Sequence, residues 1–139
     1  MVGRLRSGKG GDLLAAALPG LRKHADLLLL GAGAAGHEFF GESGVHLVLD
    51  YDRAELPQRL ADWAPDAALL LPTVAETYSY TFSELTSLDV PVIATRVGAL
   101  AERIDDGRNG LLVEARADAV VARVAQLAND RSVLASIRK

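Results

Sequence analysis

The sequence contains no cysteine, one tryptophan, one methionine and only seven aromatic residues in 139. Without thiols there is no disulfide scaffold, zinc ribbon, iron–sulfur site or thiol nucleophile. The three histidines, His24, His37 and His46, are scattered, so no metal centre is expected. An excess of positive charge is also missing: fifteen Lys and Arg stand against eighteen Asp and Glu, a net charge of −3. That balance argues against a nucleic-acid partner, because neutralising phosphates needs clustered cations. No apolar run approaches the roughly 18 residues of a membrane-spanning helix, and the opening MVGRLRSGKG lacks the apolar centre of a secretory signal. The chain therefore reads as cytoplasmic, without a membrane-spanning segment.

What is present suffices for a core. Half of the residues are hydrophobic, and a chain of this length buries roughly 68–70% of its unfolded surface on folding. One domain, residues 1–139, is expected. Its charge is uneven: residues 1–24 hold five basic residues (Arg4, Arg6, Lys9, Arg22, Lys23) and a single acid, Asp12.

Five short apolar runs, Asp26–Leu30, Val45–Leu49, Asp66–Leu71, Val90–Ala94 and Gly110–Val113, are bounded by Gly, Pro and Asp. They lack polar alternation, which predicts parallel strands covered on both faces. Between them lie amphipathic stretches. Asp12 to about Lys23 predicts a helix with Asp12 as N-cap and a perturbing Pro19; Glu55–Trp63, Thr81–Leu88 and Ala117–Ala128 predict three more, and Val133–Lys139 the start of another. The alternation makes the fold α/β, a doubly wound parallel sheet flanked by helices, with ligand-binding loops at the carboxyl ends of its strands.

Three such places carry chemistry. Gly31-Ala32-Gly33-Ala34-Ala35-Gly36 follows a strand and has the G-x-G-x-x-G form of a dinucleotide site, with Asp50 ending the next strand. Only eight residues, His37–Gly44, then precede that strand, giving about 12 Å of helix at most, too short for a crossover. An NAD(P)-binding oxidoreductase module resting on Gly31–Gly36 is the alternative this run leaves open, and a receiver domain using Asp50 or Asp52 is a third, disfavoured by the basic residues after the first segment. Arg4, Lys9 and the glycines from Gly3 to Gly11 precede a helix, where cations and free amides suit an anion. Glu76 and Glu84, after the strand ending at Leu71, have seven residues between them, among which are Tyr78, Tyr80 and Phe82.

In order, Gly3-Arg4…Lys9-Gly10, Gly31-Ala32-Gly33, Glu76…Glu84, Pro91–Thr95, Val97-Gly98 and Asp106-Gly107-Arg108-Asn109-Gly110-Leu111-Leu112-Val113 resemble the C-terminal half of GT-B retaining glycosyltransferases, and most of all glycosyltransferase family 4, also called group 1. The resemblance spans essentially the whole chain. It implies a Rossmann-like lobe of about six strands that binds a nucleoside-diphosphate sugar, with the N-terminal acceptor domain absent. It also implies roles. Arg4 and Lys9 would hold the diphosphate, Glu76 would lie by the donor sugar, backbone around Ser79, Tyr80 and Thr81 would meet phosphate at a helix N-terminus, and Glu84 would accept from ribose hydroxyls. Gly31 and Gly33 would let backbone approach the donor. No cofactor is implied, since the nucleoside-diphosphate sugar is itself the substrate, and the setting would be bacterial polysaccharide or glycoconjugate assembly, with any membrane association carried by the missing half. Ser79 and Ala99 stand where the family pattern often has glycine.

Overall fold

A computed structural model of the chain describes residues 1–6 and 8–137. Its elements run α1 (Gly11–Leu21), β1 (Leu27–Leu30), β2 (Val45–Val48), α2 (Leu56–Trp63), β3 (Ala68–Leu70), α3 (Tyr80–Ser87), β4 (Val92–Thr95), α4 (Gly98–Arg103), β5 (Leu111–Val113), α5 (Ala117–Asn129) and α6 (Ser132–Ile137). All strand pairs are parallel, as the unbroken apolar runs predict. The strands form two sheets, β1-β2 and β3-β4-β5.

Five strands are present where the family resemblance implies about six. The place of a further one is taken by Met1–Leu5, which runs parallel to β1 on the side away from β2. Leu27 and Gly31 donate towards β2, to the Gly44 and Val48 carbonyls, while Leu30 donates to Met1 and its own carbonyl accepts from Gly3. The Met1 amine continues this pattern, donating to the Leu28 carbonyl at 2.7 Å. Burial of that amine lowers its pKa from 8.0 to about 5.

Alternation along the strands divides the core between two faces. Leu27, Leu29, Leu69, Ile93 and Leu111 pack with Leu14, Leu18, Leu21, Val120, Leu127 and Leu134 of α1, α5 and α6. Leu30, Ala68, Leu70, Val92, Ala94 and Leu112 meet Leu56, Leu60, Phe82, Leu85 and Leu100 of α2, α3 and α4. Helices thus cover both faces, in a doubly wound arrangement. β2, at the edge, is only partly buried, unlike the other strands.

Two local expectations need correction. Gly10, not Asp12, occupies the N-cap of α1, in a left-handed conformation (φ +104°) with no side-chain cap; Asp12 sits in the first turn, where its charge still favours the helix N-terminus. Pro19 lies inside α1, which nevertheless continues to Leu21. Its local cost of about 3 kcal/mol is met by tertiary packing: α1 lies so close to α5 that a Cβ on Gly20 would stand 2.7 Å from Val121. The short α4 has no counterpart among the helices expected from the sequence, and the last two residues of the expected helix Val133–Lys139 lie outside the described residues, as does Ser7. Among the described residues no helix is long and apolar enough to cross a membrane.

Candidate functional site

The carboxyl ends of Met1–Leu5, β1, β2 and β3 deliver four loops to one edge of the molecule, the place where parallel α/β sheets bind ligands. Two adjoining clefts lie there. One, of about 260 Å³, has Arg4 and Lys9 on one wall and Glu76, Ser79, Tyr80 and Thr81 on the other. The second, of about 240 Å³, is bounded by Gly31, Asp50, Tyr51, Arg53 and Glu84 and shares Arg4, Tyr80 and Thr81 with the first. Gly33 stands behind Arg4; a Cβ there would come within 2.9 Å of its guanidinium. All nine residues singled out from the sequence are thus gathered at this edge. A larger hollow, about 560 Å³, lies at the opposite strand ends between Met1, Leu27, Trp63 and Ala68, and holds none of them.

Each loop is fastened from behind. The Gly8 carbonyl accepts from Thr73 at 3.0 Å, joining the N-terminal loop to the one after β3. Thr95, fully buried at the end of β4, donates through Oγ1 to the Pro72 carbonyl at 2.6 Å. The Glu76 carbonyl accepts from Ala99 at 2.9 Å. Gly98 makes this approach feasible: its φ is +55°, and a Cβ would lie 2.6 Å from the Glu76 nitrogen. Ser79, where glycine is the commoner residue of the pattern, is buried and accepts at Oγ from the Phe82 amide at 3.2 Å, so it caps α3. The next amides, those of Tyr80 and Thr81, belong to the first turn and have no intrahelical acceptor.

Three ion pairs span the clefts: Lys9 with Glu76 at 2.7 Å, Arg4 with Asp50 at 3.4 Å, and Arg53 with Glu84. Every carboxylate and cation expected at the site except the backbone groups is therefore matched by a partner from another loop. Such exposed pairs are each worth about 0–1 kcal/mol, so an incoming anion or hydroxyl can displace them. Tyr51, half-buried beneath this edge, has its pKa raised by desolvation against the opposing influence of Arg53. Of the three clustered aromatics, Phe82 is core, whereas Tyr78 and Tyr80 remain exposed and meet edge to face at 4.9 Å.

Sequence spacing did not reveal two arginines. Arg53 opens a short 3-10 turn, Arg53–Glu55, and nothing in the neighbouring sequence shows that it meets Glu84. Arg103 ends α4 and reaches back to α3, with its guanidinium 4.2 Å from the Tyr78 ring centre. Among the described residues no group of three or more His, Cys, Asp or Glu is gathered as metal ligands would be.

The glycine run opens a six-residue 3-10 turn, Ala34–Phe39, rather than an α-helix. A dinucleotide site needs a helix N-terminus there for its pyrophosphate, so the oxidoreductase alternative lacks its main element. Asp50 is paired with Arg4, and Asp52 caps the next turn by accepting from Ala54 at 3.0 Å.

Comparison with known proteins agrees with this architecture. The sequence pattern of a family described as "Glycosyl transferases group 1" matches residues 1–130. A D-inositol 3-phosphate glycosyltransferase of Arthrobacter sp. (strain FB24) is 32% identical over 124 residues, which cover 81% of this chain and 30% of that protein. The structure of Anabaena HepE in complex with UDP superposes with a TM-score of 0.75 at 22% identity, over 99% of this chain and 41% of that one. A C-terminal domain of the Francisella tularensis group 1 glycosyl transferase LpcC gives 0.75 at 21%, over 99% and 78%. The chain thus spans about a third of the length of the curated relative, and most of the excised domain.

Proposed function

The chain belongs to the group 1 glycosyltransferases, and on that premise we propose that residues 1–139 are the donor-binding domain of a retaining enzyme that moves a sugar from a nucleoside diphosphate to an acceptor. The observation carrying this reading is the convergence of Arg4, Lys9, the Tyr80 and Thr81 amides and Glu84 on two adjoining clefts. The first cleft suits the diphosphate and the sugar, and the second the nucleoside. That one similar fold is a complex with UDP is in keeping with this assignment.

The chemistry follows from charge. When the bond between the anomeric carbon and the phosphate oxygen breaks, its electron pair leaves with the diphosphate. Arg4, Lys9 and the first-turn amides of α3 stabilise that negative charge where it develops. Glu84, as a carboxylate, accepts from two vicinal ribose hydroxyls, which requires Arg53 to give way. Glu76, held beside Lys9, faces the sugar. The donor carries its own activated bond, so no further cofactor is assigned. Acceptor, water exclusion and assembly of bacterial polysaccharide or glycoconjugate belong to a second lobe, and the 139-residue chain alone binds donor without efficient transfer.

A thermal-shift and ligand-observed NMR comparison of UDP, GDP, ADP and NAD tests the binding. A nucleoside diphosphate at about 100 times its dissociation constant stabilises the fold by about 2.7 kcal/mol. A response to NAD and to no nucleoside diphosphate defeats the proposal. Retention is tested separately, by the anomeric configuration of the product made by the two-lobed enzyme.

A further inference from the structure

We infer that Arg103 is a positioning residue for the donor loop, and that the turn Asp106–Gly110 serves to hold Arg103 in place; the inference rests on the donor-binding reading above. Arg103 enters neither cleft. Its guanidinium instead donates to the Ser79 carbonyl and to Ser83 Oγ, each at 2.7 Å. Its Cζ also lies over two rings, 4.2 Å from the centre of Tyr78 and 4.8 Å from that of Phe82. Tyr78 closes the circuit, its hydroxyl 3.0 Å from Ser83 Oγ.

These contacts bracket the residues whose backbone meets the proposed phosphate. Ser79 and Ser83 lie on either side of Tyr80 and Thr81, so a planar fork bound to both sets the direction in which those amides point. Ser79 alone cannot do this. Its side chain satisfies only the Phe82 amide, and the loop's other end is fixed at Glu76 by Ala99; between these points Arg103 is what holds the Ser79 carbonyl from the side. Arg103 is fixed in turn from the far side. Asn109 donates to the Arg103 carbonyl at 3.0 Å and accepts from the Asp105 amide at 2.7 Å, while Asp106 accepts from the Leu112 amide at 2.9 Å at the start of β5. The D-G-x-N-G turn contacts no cleft, yet through Arg103 it is connected to the mouth of α3.

Lysine keeps the charge and loses both the fork and the flat face that lies on the rings. The test is therefore the affinity of R103A, R103K and N109A for UDP, GDP and ADP, measured by calorimetry well below each variant's melting temperature. Loss of two charge-assisted hydrogen bonds and the ring contacts weakens binding by about tenfold in R103A. R103K stays within about threefold of R103A, and N109A loses about threefold, less than R103A. The double variant loses no more than R103A, because both act along one path. In the apo chain, hydrogen exchange of peptides covering 79–84 quickens in R103A and R103K.

Wild-type affinity in folded R103A, or full recovery in R103K, overturns the inference: the first makes Arg103 merely structural and the second makes it a distant charge. Should R103A fail to fold, R103K and N109A carry the same decision. A wild-type chain that binds no nucleoside diphosphate defeats the donor reading itself, an outcome separate from a wild type that binds with variants that bind equally.

Discussion

Lys9 Nζ lies 2.7 Å from Glu76 Oε1, an ion pair between residues 67 apart in sequence that joins the loop before α1 to the loop after β3. It ties together the two groups assigned to opposite ends of the bond to be cleaved. Half of the Lys9 side chain is exposed, so the pair adds little to stability and is open to exchange.

Removing either partner should therefore have unlike effects. K9A and R4A each weaken diphosphate binding by about tenfold and flatten its dependence on salt. E76A leaves that affinity within about threefold, because it frees Lys9 instead of removing it, yet it abolishes transfer in the two-lobed enzyme. Calorimetry across a salt series separates them; an E76A loss as large as that of K9A would place Glu76 on the nucleotide.

Arg53 and Glu84 make opposite predictions. E84A weakens a ribonucleoside diphosphate by about tenfold and leaves the 2′,3′-dideoxy analogue, which lacks both hydroxyls, nearly unaffected. R53A strengthens the ribonucleotide by about two- to fivefold, since it removes a competitor worth at most about 1 kcal/mol. If R53A binds more weakly, Arg53 touches the nucleotide and is no competitor.

Thr95 anchors the loop that carries Glu76. Replacing it with valine keeps the shape and leaves the Pro72 carbonyl unpaired, at a cost of about 1–3 kcal/mol in urea unfolding. Thr95→Ser, which retains the hydroxyl, falls below that loss. Equal losses would show that the methyl group matters and the hydrogen bond does not.

Much of this was written in the chain, and the rest was not for identifiable reasons. The strands are continuous apolar runs because helices cover both sheet faces, and that pattern is local. α3 and α5 follow from helical spacing, whereas α4 has only six residues and too few apolar positions to show a period. The residues proposed for the site come together because they follow strand ends, which is where this architecture gathers its loops, while the roles proposed for them come from the family resemblance. Their partners were hidden: Arg53 reaches Glu84, and Arg103 reaches Ser79, only through tertiary folding. The cap of α1 is not legible in the sequence because Gly10 is dictated by crowding against Leu71 rather than by side-chain capping.

The separation of the strands into two sheets has a consequence for how the domain moves. Among the described residues no backbone ladder crosses from Met1–Leu5 to β3, and the halves are joined instead by side-chain packing, by the bonds to the Gly8 carbonyl and by the exchangeable pairs Lys9–Glu76 and Arg53–Glu84. Both clefts straddle that seam, with Arg4 on one bank and Tyr80, Thr81 and Glu84 on the other. A ligand gripping both banks thus acts as a rivet. Occupancy should be felt as a slowing of relative motion between the halves, even at amides distant from any atom it touches.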